Sequence, residues 1–196
     1  MKYKNLYDEL YNEGYHNNPK ASHTKTIYEL IHKYVNKHSK ILDIGCSNGT
    51  GMLGLEKNGY DMYGIDIADK AIDICNARKL KNCKVNSVTS IDFQDKYFDA
   101  IISTDVLEHL DPSEIKPAIS ECKRILKQNG IGIFVIATIP ERSKAWQYIA
   151  RQHDLKNLHT SIFNSNYWEN EIISQGLEII YKKNIPKRGV VFIFNK

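Results

Sequence analysis

The feature that most constrains this chain is a regular alternation of short apolar runs with stretches of helical periodicity, beginning near residue 40. Residues 41–44, 62–65, 84–86, 98–103 and 130–137 read as strands, and 50–57, 70–80 and 112–127 as helices among them. Strands spaced by helices of this length build βαβ units, which require a mostly parallel sheet with right-handed crossovers. Residues 143–151 and 165–175 read as two further helices. The closing runs 177–184 and 190–195 flank Pro186-Lys187-Arg188-Gly189, a turn sequence that makes them an antiparallel hairpin. The expected fold is α/β, with a seven-stranded, mostly parallel sheet, helices on both faces and an antiparallel strand supplied by the last hairpin.

Ahead of this unit, Tyr3, Leu6, Tyr7, Leu10 and Tyr11 recur at three- and four-residue steps, the spacing of one helix face. After the turn signals Gly14 and Asn17-Asn18-Pro19, the set Ile27, Leu30, Ile31, Tyr34 and Val35 repeats the pattern, with Ser22 or Thr24 available as N-cap. A length of 196 residues fits one domain. Apolar residues at 42% and charged residues at 26% exclude disordered and fibrous chains. The apolar run 131–139 is about half of the ~20 residues a membrane span needs, so no span or signal peptide is expected and the chain is placed in the cytoplasm. A formal charge of +4 lacks the basic excess of a nucleic-acid binder. Cys46, Cys75, Cys83 and Cys122 include no C-x-x-C pair, so they read as reduced thiols without a disulfide framework or zinc-knuckle spacing.

The most informative stretch is Ile41-Leu42-Asp43-Ile44-Gly45-Cys46-Ser47-Asn48-Gly49-Thr50-Gly51, a buried strand running through a glycine-rich turn into a helix. Such a turn lets a ligand lie against bare backbone at a helix N-terminus. Gly45 suits a positive φ, Gly49 permits close packing of helix on strand, and Asp43 is placed to brace the loop by accepting backbone N–H bonds. Asp66 ends the next strand, Tyr63-Gly64-Ile65-Asp66, about 20 residues on, where a carboxylate can accept both hydroxyls of a ribose. A βα turn without ligand is the alternative reading. The loop lacks the lysine of a P-loop and does not match G-x-G-x-x-G, which argues against ATP and dinucleotides.

With Leu42-Asp43-Ile44-Gly45-Cys46-Ser47-Asn48-Gly49, Gly64-Ile65-Asp66, the run from Phe98 to Leu110 and Glu121-Cys122-Lys123-Arg124-Ile125-Leu126-Lys127-Gln128-Asn129-Gly130 in this order, the sequence resembles the class I S-adenosylmethionine-dependent methyltransferases. The resemblance covers nearly the whole chain from about Tyr11 onward and implies a Rossmann-like domain with S-adenosylmethionine as cofactor. It implies that Gly45, Cys46 and Ser47 line the methionine and ribose portion, that Asp66 holds the ribose and that Ile67 flanks the adenine. Ser87 and Val88 match the position where the family often carries an acidic residue on the adenine amino group; Thr104 and Asp105 match the loop facing the methionine moiety. Ser47 replaces the common middle glycine and Ser87 the usual aspartate.

Residues 1–38 are expected to form a lid over a cofactor-binding core of 39–196, the N-terminal tyrosines and the cluster Trp146, Tyr148, Phe163, Tyr167 and Trp168 being either core or roof. Methyl transfer needs alignment and, for a hydroxyl or protonated amine, removal of a proton. His109 is the candidate general base, with an imidazole near ~6.5; His159, Tyr11 and Tyr15 are acceptor-side groups. Packing or capping is the alternative role for His109. Glu108 and His109 as metal ligands lack an evident third donor, so no metal is expected. Lys182, Lys183, Lys187 and Arg188 read as a solvated hairpin rather than an RNA-binding edge. The expected reaction is methyl transfer to an O or N nucleophile of a small molecule; an RNA or protein methyltransferase working with a partner, and a non-catalytic cofactor-binding subunit, are the alternatives.

Overall fold

The computed structural model describes residues 3–14 and 23–196. Seven strands, β1 (Lys40–Ile44), β2 (Asp61–Asp66), β3 (Cys83–Val85), β4 (Phe98–Thr104), β5 (Leu126–Ala137), β6 (Glu178–Ile185) and β7 (Gly189–Asn195), form one sheet in the order β3-β2-β1-β4-β5-β7-β6. Pairings from β3 through β5 are parallel, and β7 runs antiparallel to both β5 and β6. The hairpin therefore inserts its antiparallel strand one place in from the sheet edge. The chain starts at β1, works outward to β3 and returns to β4, so the order reverses between β1 and β4. In open α/β sheets this switch point leaves a crevice above the carboxyl ends of the strands.

Neighbouring residues along the central strands enter opposite cores, because strand side chains alternate between faces. Leu42, Ile101 and Phe134 meet Ile115 and Ile119 of α5 (Pro112–Ile125) and Trp168 and Ile172 of α7 (Ser165–Ser174). Ile41, Ile102 and Ile133 meet Ile31 of α2 (His23–Tyr34), Met52 and Leu55 of α3 (Thr50–Lys57) and Ile72 of α4 (Asp69–Ala77). Burial on both faces is why these strands are continuous apolar runs. A third cluster, Leu6, Leu10, Ile149, Ala150 and Leu158, joins α1 (Lys4–Asn12) to α6 (Lys144–Gln152).

Element boundaries fall within two residues of those read in the sequence, except at two places. The helix expected over 70–80 stops at Ala77: Lys79 takes a φ of +64°, and the Leu80 N–H returns to the Cys75 carbonyl at 3.1 Å, which lets Leu80 bury its side chain. β5 starts at Leu126 rather than 130, because Leu126 already pairs with Phe98 before a bulge, and Asn129 turns through a φ of +63°. Thr24 lies within α2 rather than ahead of it. Tyr15, Asn17-Asn18-Pro19 and Ser22 lie outside the described residues. No helix among the described residues is long and apolar enough to cross a membrane.

Candidate active site

A cleft of about 930 Å³ lies at the switch point. Asp43, Gly45, Cys46, Ser47, Asp66, Ile67, Ser87, Val88, Thr104 and Asp105 all line it, as does His109. Gly49 does not. It stands behind the loop with a φ of +72°, where a Cβ would fall 2.2 Å from Leu80 Cδ1, so its close approach is to the chain after α4.

The loop's conformation follows from where its backbone groups are satisfied. Gly45 has a φ of +73°, and a Cβ there would sit 2.3 Å from Val106 Cγ2, so only glycine fits. The N–H groups of Gly45 and Cys46 both donate to the Ile65 carbonyl, at 2.8 and 3.0 Å. The Ser47 N–H donates to Asp66 Oδ2 and the Ala68 N–H to Asp66 Oδ1, each at 3.0 Å. Asp66 thus braces the loop, the role expected of Asp43; no described N–H reaches the Asp43 carboxylate, which instead faces the cleft. Burial, then the charge of Asp66, pushes the Asp43 carboxyl up to about 7. Asp66 rises to about 6 through burial, opposed by the N–H groups of Ala68 and Ser47. Two raised carboxyls beside a bare loop favour a ligand that brings positive charge and hydroxyl groups, and they disfavour phosphates.

α1 roofs this end of the cleft. Its Tyr3 hydroxyl donates to Asp111 Oδ1 at 2.6 Å, Lys4 pairs with Asp69, Asp8 Oδ1 accepts the Lys70 N–H at 3.0 Å, and Glu9 meets His153 at 2.9 Å. Tyr3, Tyr7 and Tyr11 line the cleft, and the Tyr11 hydroxyl lies 3.5 Å from Asp66 Oδ2. The second aromatic cluster divides: Trp146 lines the cleft, Trp168 is fully buried in the sheet core, Phe163 and Tyr167 stack at 3.9 Å beside it, and Tyr148 is 65% exposed.

At the other end, a short 3-10 turn, Leu107–His109, follows β4. Glu108 is fully buried; its Oε1 accepts the Ala137 N–H at 3.0 Å, and burial, then the Asp105 charge, raises its carboxyl well above the ordinary range. His109 Nδ1 stands 3.1 Å from the Leu158 carbonyl, which fixes Nδ1 as the donor and leaves Nε2 as an acceptor. Burial, with His159 adding to it, drives the His109 imidazole down to about 3, not the expected ~6.5. His159 anchors its own Nδ1 on the Ile139 carbonyl at 2.7 Å, and its ring meets that of His109 edge-on at 4.8 Å. Glu108, His109 and His159 offer ligand atoms within 4.8 Å of one another, so the third donor missing from the sequence reading exists. Burial favours the neutral forms of both the Glu108 carboxyl and the His109 imidazole.

Arg188 was missed as a cleft residue. Read as part of a solvated hairpin, it reaches Asp105 Oδ2 at 2.8 Å and lines the cleft. No local pattern marks it: the pairing of Gly189 with Ala137 carries it to the end of β5.

Residues 42–134 match the family model of the methyltransferase domain. Over those residues the chain matches that domain, and its sheet order and cleft at the switch point give it the fold of the class I S-adenosylmethionine-dependent methyltransferases. It is 31% identical over 130 residues to a phosphoethanolamine N-methyltransferase of Plasmodium falciparum, covering 64% of this chain and 48% of that protein. It is 30% identical over 155 residues to a ubiquinone biosynthesis O-methyltransferase of Pelagibacter ubique, covering 76% of this chain and 61% of the relative. The chain thus spans roughly half of the curated relatives it matches. The crystal structure of a SAM-dependent methyltransferase from Methanosarcina mazei shares the fold, with a TM-score of 0.69, 24% identity and coverage of 86% of this chain and 97% of that one.

Proposed function

We propose that the protein transfers the methyl group of S-adenosylmethionine to an oxygen or nitrogen nucleophile of a small molecule. The observation that carries this reading is Asp66: a carboxylate 7% exposed at the end of β2, tied to the glycine loop and already within reach of a hydroxyl, that of Tyr11. A ribose diol would take the place of that hydroxyl. Gly45, Cys46 and Ser47 would lie under the ribose and methionine portions, Ile67, Ser87 and Val88 around the adenine, and Thr104 and Asp105 beside the methionine end. Asp43 would add negative charge opposite the cationic part of the ligand. When bound, S-adenosylmethionine supplies an electrophilic methyl group on a sulfonium.

The chain's own contribution is alignment and exclusion of water. His109 presents Nε2 as a hydrogen-bond acceptor to an acceptor O–H or N–H; held at about 3, it orients the nucleophile and does not retain its proton. α1 closes over the cleft as the lid, with Tyr3, Tyr7 and Trp146 toward the acceptor, whereas α2, expected in the same lid of residues 1–38, packs its Ile31 against the sheet and belongs with the core formed by 39–196. A small acceptor accords with the relatives' names, which include ubiquinone biosynthesis and phosphoethanolamine. The four cysteines are free thiols, which fits a reducing compartment such as the cytoplasm.

Methyl-labelled donor, incubated with the protein and with lysate separated into small-molecule and macromolecular fractions, tests the proposal. Label is expected in the small-molecule fraction. Label in RNA or protein would replace this reading with a partner-assisted macromolecular methyltransferase, and no label anywhere would leave a non-catalytic binding subunit.

A further inference from the structure

Three cysteines that are 29 and 8 residues apart along the chain meet on one side of the sheet. Cys46 comes from the glycine loop, Cys75 from α4 and Cys83 from β3, and their sulfur atoms all lie within 4.8 Å of one another. A fourth sulfur joins them: Met52 Sδ of α3 is 3.7 Å from Cys83 Sγ. Four sulfurs from four elements surround a spot that the sheet leaves open, for a Cβ on Gly64 would fall 2.6 Å from Met52 Sδ and 2.8 Å from Cys46 Sγ. Any small apolar residues would fill such space; sulfur at all four positions is a soft donor set, the kind that selects Cu⁺ or Zn²⁺.

We propose that Cys46, Cys75 and Cys83, with Met52 at the fourth position, bind one thiophilic d¹⁰ cation, Zn²⁺ or Cu⁺. Metal–sulfur bonds of about 2.3 Å in a tetrahedron place the sulfurs roughly 3.8 Å apart, the spacing that Cys83 and Met52 already have. Binding forms three metal–thiolate bonds and one thioether bond, releases three protons to solvent and changes no oxidation state. The complex carries a net charge of −1 with Zn²⁺ and −2 with Cu⁺. Entry is open from two sides, since Cys83 is half-buried and Cys46 lines the cleft. In taking the ion, Cys75 gives up its hydrogen bond to the Ser47 carbonyl, now 3.2 Å long, and the ion ties the glycine loop to α4 and β3 instead. The site shares Cys46 and the glycine loop with the proposed cofactor cleft, and metal binding is read by titration without methyl transfer.

The test titrates the reduced, metal-free full chain with Co²⁺, the spectroscopic stand-in for Zn²⁺, and separately with Cu⁺ against a coloured Cu⁺ chelator. One arm is expected to saturate at one ion per chain; in the cobalt arm this brings sulfur-to-metal charge transfer and the intense visible bands of tetrahedral coordination, and the saturating arm identifies the ion. Cys83→Ser, at a half-buried position whose folding is checked by circular dichroism, should weaken binding by an order of magnitude or more, and Met52→Leu should shift the spectrum. Cys122→Ala, in the core on the opposite face of the sheet, should bind as the native chain does. Saturation in neither arm, or equal affinity of Cys83→Ser and the native chain, overturns the proposal.

Discussion

Replacing Asp66 by alanine probes the cofactor site at its most connected residue. The carboxylate accepts the Ser47 and Ala68 N–H groups at 3.0 Å each and meets the Tyr11 hydroxyl at 3.5 Å. A ribose diol would add two hydrogen bonds to a charged acceptor, each worth about 1.5–3 kcal/mol, while the long Tyr11 contact surrendered on binding offsets about 1 kcal/mol. The net loss in Asp66→Ala is about 2–5 kcal/mol, or roughly 30- to 4 × 10³-fold in affinity. Calorimetry with S-adenosylhomocysteine measures it, and NAD should give no heat. The native affinity should also fall as pH drops below about 6, where the Asp66 carboxyl takes up a proton. Asp43, raised to about 7 by burial and by the Asp66 charge, adds a separate decline that moves to lower pH in the variant. Because two loop N–H groups lose their acceptor, Asp66→Asn, which keeps one carbonyl oxygen, separates loop damage from ligand loss. A folded Asp66→Ala protein with native affinity would refute the assignment.

His109 and α1 give two further tests. Folded His109 titrates at about 3 and an unfolded histidine near ~6.5, so the unfolded chain binds more protons between those values. The stability this confers is whole above ~6.5 and is lost as pH falls toward 3; urea denaturation should show a shallower acid decline in His109→Asn, and matching slopes would show that the imidazole is not held neutral. For the same reason, the maximal rate at saturating donor should show no inflection near ~6.5 that His109→Asn abolishes, and an inflection lost in that variant would reinstate His109 as a base. Amides of α1 should exchange more slowly once demethylated cofactor and acceptor are bound, whereas unchanged protection would mark α1 as a fixed core helix rather than a lid.

What the sequence made legible was local. The period of the apolar runs exposed the βαβ units, and the 41–51 turn with Asp66 exposed the cleft, because a strand, its loop and the carboxylate of the next strand are set by neighbours in the chain. Contacts that depend on topology stayed hidden. Arg188 meets Asp105 only because β7 inserts beside β5; His159 reaches His109 across 50 residues; and Cys46, Cys75 and Cys83 converge although their spacing resembles no metal motif. The bracing expected of Asp43 falls to Asp66 because the loop turns its N–H groups toward β2 and away from the residue that precedes it. The titration of His109 was equally out of reach, since burial is a property of the packed fold.

Product balance tests the central claim most directly. In the small-molecule fraction that accepts the label, the native protein should form one mole of S-adenosylhomocysteine per mole of methylated product, and Asp66→Ala should lose both products in parallel at donor concentrations near the native Kd. Label transfer without S-adenosylhomocysteine, or undiminished product from a folded Asp66→Ala chain, would contradict the account.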